Sequence, residues 1–167
     1  MAALSPGMKA PSFNLHTTNN QRFSLEETLK QNPLVVLAFF KVSCPVCQLT
    51  FPYLERLHRN YPDLPIWGIS QDDQDATTAF ARMFGSNFPM LLDANLATTV
   101  DYDLTNVPTI FVVDKNGNIK QTIIGFVKAE LEALNETLAN VSKTSTTNVT
   151  PQALFTAADQ VPELKPG

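Results

Sequence analysis

"LVVLAFFKVSCPVCQLTFPYLERLHRNY", residues 34–61, decides how this chain is read. Its first part, Leu34 to Lys41, is a continuous β-branched and aromatic run, the pattern of a central strand covered on both faces. From Cys44 onward, Cys47, Phe51, Leu54, His58 and Tyr61 fall at steps of three and four, with Gln48, Glu55, Arg56, Arg59 and Asn60 on other faces, which describes an amphipathic helix. Pro45 suits the first turn, where a missing N–H costs nothing, whereas Pro52 lies in the interior and is expected to kink the helix. Both cysteines of the chain, Cys44 and Cys47, therefore stand where a buried strand gives way to a helix.

Such a pair is a redox couple, half of a metal site, or two small apolar residues. A tetrahedral zinc site needs at least two further ligands, and only His16 and His58 exist, neither at the short spacing of zinc ribbons or fingers. Geometry favours the redox reading. A cysteine at a helix start meets the unpaired N–H groups of the first turn and the positive end of the helix dipole, both of which stabilise a thiolate, the nucleophile of disulfide exchange. Positions i and i+3 of a helix are neighbours, so Cys47 can bond to Cys44 without the turn unwinding. This chemistry calls for no cofactor.

The flanking sequence alternates strand and helix. "SFNL" (12–15) and "QRFSL" (21–25) suggest an N-terminal strand pair, with Ser24 capping a short helix that ends at Asn32-Pro33. "LPIWGISQD" (64–72) reads as a buried strand, "DATTAFARMFG" (75–85) as a helix closed by Gly85, "FPMLLD" (88–93) as a strand and "ANLATTVDYD" (94–103) as a helix. "VPTIFVVD" (107–114) and "IKQTIIGF" (119–126) form a hairpin around Asn116-Gly117, followed by the helix "KAELEALNETLANV" (128–141). Beyond it come the Ser/Thr-rich "SKTSTTNVTPQ", a short helix over "ALFTAAD" (153–159) and "QVPELKPG", expected to form a loosely docked tail. His58, a lone histidine two turns beyond Cys47, is read as a packing or surface residue, and Trp67 as core.

With 167 residues, 44% of them hydrophobic and 17% charged, the chain is an ordinary globular protein of about one domain. A formal net charge of -4 and no Lys/Arg cluster argue against a nucleic-acid partner. No apolar run reaches the ~20 residues of a membrane span, and "MAALSPGMKAPSF" lacks the basic head and apolar stretch of a signal peptide. The cytoplasm is the expected compartment, with the periplasm the alternative if a leader has been removed, and a monomer is the expected state. Asn-x-Ser/Thr triplets at Asn135, Asn140 and Asn148 would matter only in a secreted eukaryotic chain.

Taken together these segments resemble the thioredoxin superfamily, in its TlpA/ResA-like and peroxiredoxin-related (AhpC/TSA, redoxin) branch. "FFKVSCPVC" is similar to that family's strand followed by Trp-Cys-x-x-Cys, Pro52 falls where the family kinks its active-site helix, and "NVPTIFVVDKNGN" is similar to its Val-Pro-Thr segment and hairpin. "GMKAPSFNL" resembles the branch's opening, and 73–93 its extra helix and strand. The resemblance covers about residues 6–141. It implies an α/β thioredoxin-like fold, with a central mixed sheet flanked by helices, an N-terminal strand pair and a helix-strand insertion. The thioredoxin-like domain would occupy 1–141, with 142–167 a linker and tail. It further implies a cis bond between Val107 and Pro108, facing the cysteines and leaving the Val107 backbone free to pair with an extended substrate. Val107, Pro108 and Pro45 are thus the expected substrate-binding residues, and Cys44 and Cys47 the catalytic ones.

This sequence departs from the family in three places. Ala38 stands where many relatives bury an Asp or Asn beneath the site, Thr50 where some carry a Glu, and Ser43 where the family has Trp. An obvious proton acceptor for Cys47 is missing. The leading expectation is a thiol:disulfide oxidoreductase acting on a disulfide-containing protein or small thiol substrate and recharged by a thiol reductant. A peroxidase is the alternative, with Cys44 oxidised to sulfenic acid and trapped by Cys47, but Lys41 and Val107-Pro108-Thr109 stand where peroxiredoxins have Thr or Ser and Arg. A third reading is a redox-inert binding module, favoured by the substitutions at Ala38 and Thr50.

Overall fold

The computed structural model describes residues 3–143 and 152–167. Strand β3 (Leu34–Phe40) is buried along its whole length, as its unbroken apolar run requires. It lies at the centre of a five-stranded sheet with β4 (Ile66–Ser70), β5 (Met90–Leu92), β6 (Thr109–Asp114) and β7 (Ile119–Ile124), ordered β5-β4-β3-β6-β7. β3 pairs parallel with β4 and antiparallel with β6, so the sheet is mixed.

Alternation along β3 sends its side chains into two cores. Val36, Ala38 and Phe40 pack with helix α2 (Pro45–Asn60), Phe80 of α3 (Gln74–Phe84) and the leucines of α5 (Lys128–Val141). Val35, Leu37 and Phe39 face the opposite core, where Trp67 and Tyr102 lie with Leu25 and Leu29 of α1 (Leu25–Leu29). An antiparallel pair, β1 (Asn14–His16) and β2 (Arg22–Ser24), precedes α1, and the Ser24 hydroxyl caps it by accepting from the Glu27 N–H. Gly85 ends α3 with a φ of 69°, the left-handed conformation that glycine adopts without strain.

The helix expected over 94–103 is shorter, α4 (Ala97–Asp101), because the buried Asp93 carboxylate accepts from the Thr98 and Thr99 N–H groups and fixes the start of the first turn. α2 runs unbroken through Pro52. Register then places the cysteine loop. Phe39 of β3 lies opposite Thr109 of β6, so the residues just before Thr109 sit beside the end of β3, where the chain turns into α2.

The end of the chain departs most from expectation. Residues 153–159 form turns instead of a helix. Asp159 draws the chain into that turn by accepting from the Thr156 N–H at 2.8 Å while its carboxylate takes both Arg56 Nη groups, at 2.7 and 2.9 Å. The Arg56 pair and the Thr156 bonds hold the Asp159 carboxyl below the usual carboxylate range. Nor is the segment loosely docked. Leu154 is 2% exposed within the α2–α5 core, Phe155 packs on Tyr53 with ring centroids 4.7 Å apart, and Asn135 donates to the Gln152 carbonyl. Asn135, one of the three Asn-x-Ser/Thr sites, is thus a buried core residue; Asn148 and most of the Ser/Thr-rich stretch lie outside the described residues. Finally β9 (Leu164–Lys165) pairs antiparallel with β8 (Phe126–Val127).

A docked segment contributes to stability and a loose one does not. Leu154→Ala is expected to lower the unfolding free energy in urea by about 2–4 kcal/mol, the usual cost of emptying a buried leucine site. A change within about 0.5 kcal/mol, typical of exposed positions, would show that the segment is undocked in solution.

Candidate active site

Cys44 is the N-cap residue of α2, with extended backbone angles, and Pro45 is the first helical residue. The Cys47 N–H, one of the groups a helix start leaves unpaired, donates to Cys44 Sγ at 3.2 Å. Cys44 is half-buried and Cys47 fully buried; both are free thiols. The Val107-Pro108 bond is cis, and the Val107 carbonyl accepts from Cys44 Sγ at 3.4 Å. The structure thus brings Cys44, Cys47, Val107 and Pro108 together, with Pro45 exposed at the rim.

The two sulfurs occupy different environments one helical turn apart. A negative charge at a helix N-terminus is stabilised by about 0.3–1 kcal/mol, and more when partly buried. At Cys47 burial outweighs that help: loss of solvent, then the hydrogen bond with Cys44, pushes its thiol far above the ordinary range. Ala38, buried in the same core, carries no polar side-chain atom, and the buried Thr50 hydroxyl is spent on the Val46 carbonyl at 2.7 Å. The departures noted in the sequence therefore supply no acidic side chain to the buried Cys47 thiol, whose polar neighbours are Cys44 and the Lys41 backbone.

Two positioning residues were not apparent from the sequence. Asp72, just past the end of β4, accepts from the Val42 N–H at 2.8 Å, and Gln48 Nε2 donates to the Val42 carbonyl at 3.0 Å. Together they fix both backbone groups of Val42, two residues before Cys44. Gln48 is legible only once α2 is built, and Asp72 is 30 residues away with no spacing to mark it. His58 packs beside Phe88, and its Nδ1 is buried without a hydrogen-bond partner among the described residues. Trp67 lies in the core against Phe13 and Phe23. Neither approaches the pair's chemistry.

A dithiol at the start of a helix, beside a cis-proline loop on a five-stranded mixed sheet, defines a thioredoxin-fold protein. The model of the AhpC/TSA family matches residues 6–122, and the chain belongs to that family. It is 26% identical over 126 residues to the thiol-disulfide oxidoreductase ResA of Bacillus subtilis, covering 74% of this chain and 69% of ResA. It is 27% identical over 135 residues to the thioredoxin-like protein YneN of the same organism, covering 77% of this chain and 78% of YneN. Among solved structures, the thioredoxin domain of a thiol-disulfide oxidoreductase from Bacteroides vulgatus superposes with a TM-score of 0.71 at 22% identity, covering 81% of this chain and 98% of that one.

The buried thiol makes stability depend on pH in a defined direction. Folding favours the protonated Cys47, so the folded chain keeps a proton that the unfolded chain gives up above its ordinary value near 8.5. The contribution is complete below that value and declines as pH rises beyond it, by up to about 1.4 kcal/mol per pH unit. Urea unfolding of the reduced protein between about pH 7.5 and 9.5 should show this loss, and Cys47→Ala should lack it. Parallel curves for the two chains would contradict the assignment.

Proposed function

We propose that the chain is a thiol:disulfide oxidoreductase in which Cys44 is the attacking sulfur and Cys47 the resolving one. The observation that carries the reading is the 3.2 Å bond from the Cys47 N–H to Cys44 Sγ, which couples an accessible nucleophile to a shielded partner within one turn. The Cys44 thiolate attacks one sulfur of a substrate disulfide; that bond breaks, its second sulfur leaves as a thiolate and takes a proton, and a mixed disulfide forms. Cys47 then loses its proton and attacks Cys44 Sγ, releasing the first substrate sulfur as a thiol and forming the Cys44–Cys47 disulfide. Two electrons pass to the substrate, and an external thiol reductant returns them.

Val107 and Pro108 form the platform for the substrate, with exposed Pro45 at its edge. Once Cys44 ionises, its sulfur has no proton to give the Val107 carbonyl, and that carbonyl is released for pairing with an extended segment. The thioredoxin-like domain over 1–141 carries this chemistry, and 142–167 is an extension to it. Direction follows the redox poise of the compartment. In a reducing cytoplasm the pair runs as a disulfide reductase, and in an oxidising periplasm it needs a dedicated electron donor. No helix among the described residues is long and apolar enough to cross a membrane. The peroxidase alternative draws no support from the site: exposed Lys41 stands three residues before Cys44, where that chemistry uses a hydroxyl.

Cys47→Ser removes the resolving sulfur and should accumulate substrate on Cys44 as mixed disulfides that dithiothreitol releases. Cys44→Ser should capture nothing and reduce insulin no faster than background. Equal capture by both variants would overturn the division of roles, and capture by neither, with insulin turnover intact in Cys44→Ser, would remove the pair from the reaction.

A further inference from the structure

Beyond the cysteines, the segment 163–167 is seated on the site itself. Phe126 of β8 lies opposite Lys165 and Val127 opposite Leu164, and the Lys128 N–H donates to the Glu163 carbonyl at 2.9 Å. The chain continues through Pro166 to Gly167, whose carbonyl accepts from Asn106 Nδ2 at 3.1 Å. Gly167 rests on the Val107 carbonyl: a Cβ placed on it would come 2.8 Å from the carbonyl carbon and collide with the oxygen. That oxygen is the one facing Cys44 Sγ. On the other side, Gly125, with a φ of 76°, gives the segment its seat, since a Cβ there would lie 2.6 Å from the Lys165 carbonyl oxygen.

An extended segment of this chain therefore lies along the edge where an extended substrate would pair. Its hold is light. Residues 163–167 are exposed, the ladder is two residues long, and the Lys128–Glu163 ion pair spans 3.7 Å with Glu163 83% exposed, a kind of contact that contributes little. Its tether is firm, because Leu154 and the Arg56–Asp159 pair fix the preceding residues to the domain. A lightly held strand on a short tether has a high effective concentration at its seat yet can be displaced.

We propose that residues 163–167 are a built-in occupant of the peptide-accepting edge, so that the protein discriminates against extended polypeptide disulfides and in favour of small ones that reach Cys44 without pairing. The inference rests on the thiol:disulfide reading of the pair. An edge left free only a tenth of the time weakens apparent peptide affinity about tenfold, and freeing it restores that factor.

Gly167→Val tests this in the full chain at an exposed position outside the cysteine pair, since its side chain cannot share the space of the Val107 carbonyl. With dithiothreitol as donor, kcat/KM for insulin should rise about tenfold, through KM, while that for hydroxyethyl disulfide stays the same. Amide exchange at Lys128, whose N–H the segment covers, should be protected in the parent and faster in the variant. Unchanged or reduced insulin turnover overturns the proposal, as does a Lys128 amide that is unprotected in the parent or equally protected in both. Inactivity of both chains on both disulfides, with Lys128 exchange as expected, defeats the oxidoreductase reading and the selectivity with it, while leaving the segment's seat confirmed.

Discussion

A single hydrogen bond, from the Cys47 N–H to the Cys44 sulfur, ties the start of α2 to the proposed chemistry. Its geometry depends on Cys44 being the N-cap and Pro45 the first helical residue, which in turn depends on β3 delivering the chain to that point from the middle of the sheet. The antiparallel register of β6 against β3 then brings Val107 and Pro108 to the same place, Val107 from 63 residues beyond Cys44 in sequence. Each element of the site is thus held by something larger than itself, and Asp72 and Gln48 of α2 lock the short loop between β3 and α2.

The balance between helix-start electrostatics and burial gives the two sulfurs unequal character. The first turn favours an anion, but only by an amount comparable with one exposed ion pair, so a fully buried thiol is governed by lost solvation. Cys47, fully buried in the α2 core, falls under that rule, whereas Cys44 lies half-buried at the cap. An Asp or Asn in place of Ala38 would add a polar side chain to the core that holds Cys47.

What could be read in the sequence was what neighbouring residues determine. The strand Leu34–Phe40, the helix start at Cys44-Pro45, the Ser24 cap and the hairpin at Asn116-Gly117 are local in origin, and the structure places them where the pattern did. The cis Val107-Pro108 bond came instead from likeness to a family. Contacts made across the fold were not legible. Asp72 reaches the cysteine loop through a neighbouring strand, and "ALFTAAD", helical by composition, is drawn into a turn by the Arg56–Asp159 pair. Leu164–Lys165 is a strand only because β8 offers an edge, which two exposed residues before a Pro-Gly cannot announce.

The account comes down to an accessible sulfur at the helix cap beside a sealed one, and site-resolved alkylation reads that difference directly. Reduced protein treated with limiting iodoacetamide near neutral pH and followed by peptide mass spectrometry should carry the label on Cys44 well before any appears on Cys47. Labelling of Cys47 first, or of both at one rate, would contradict it.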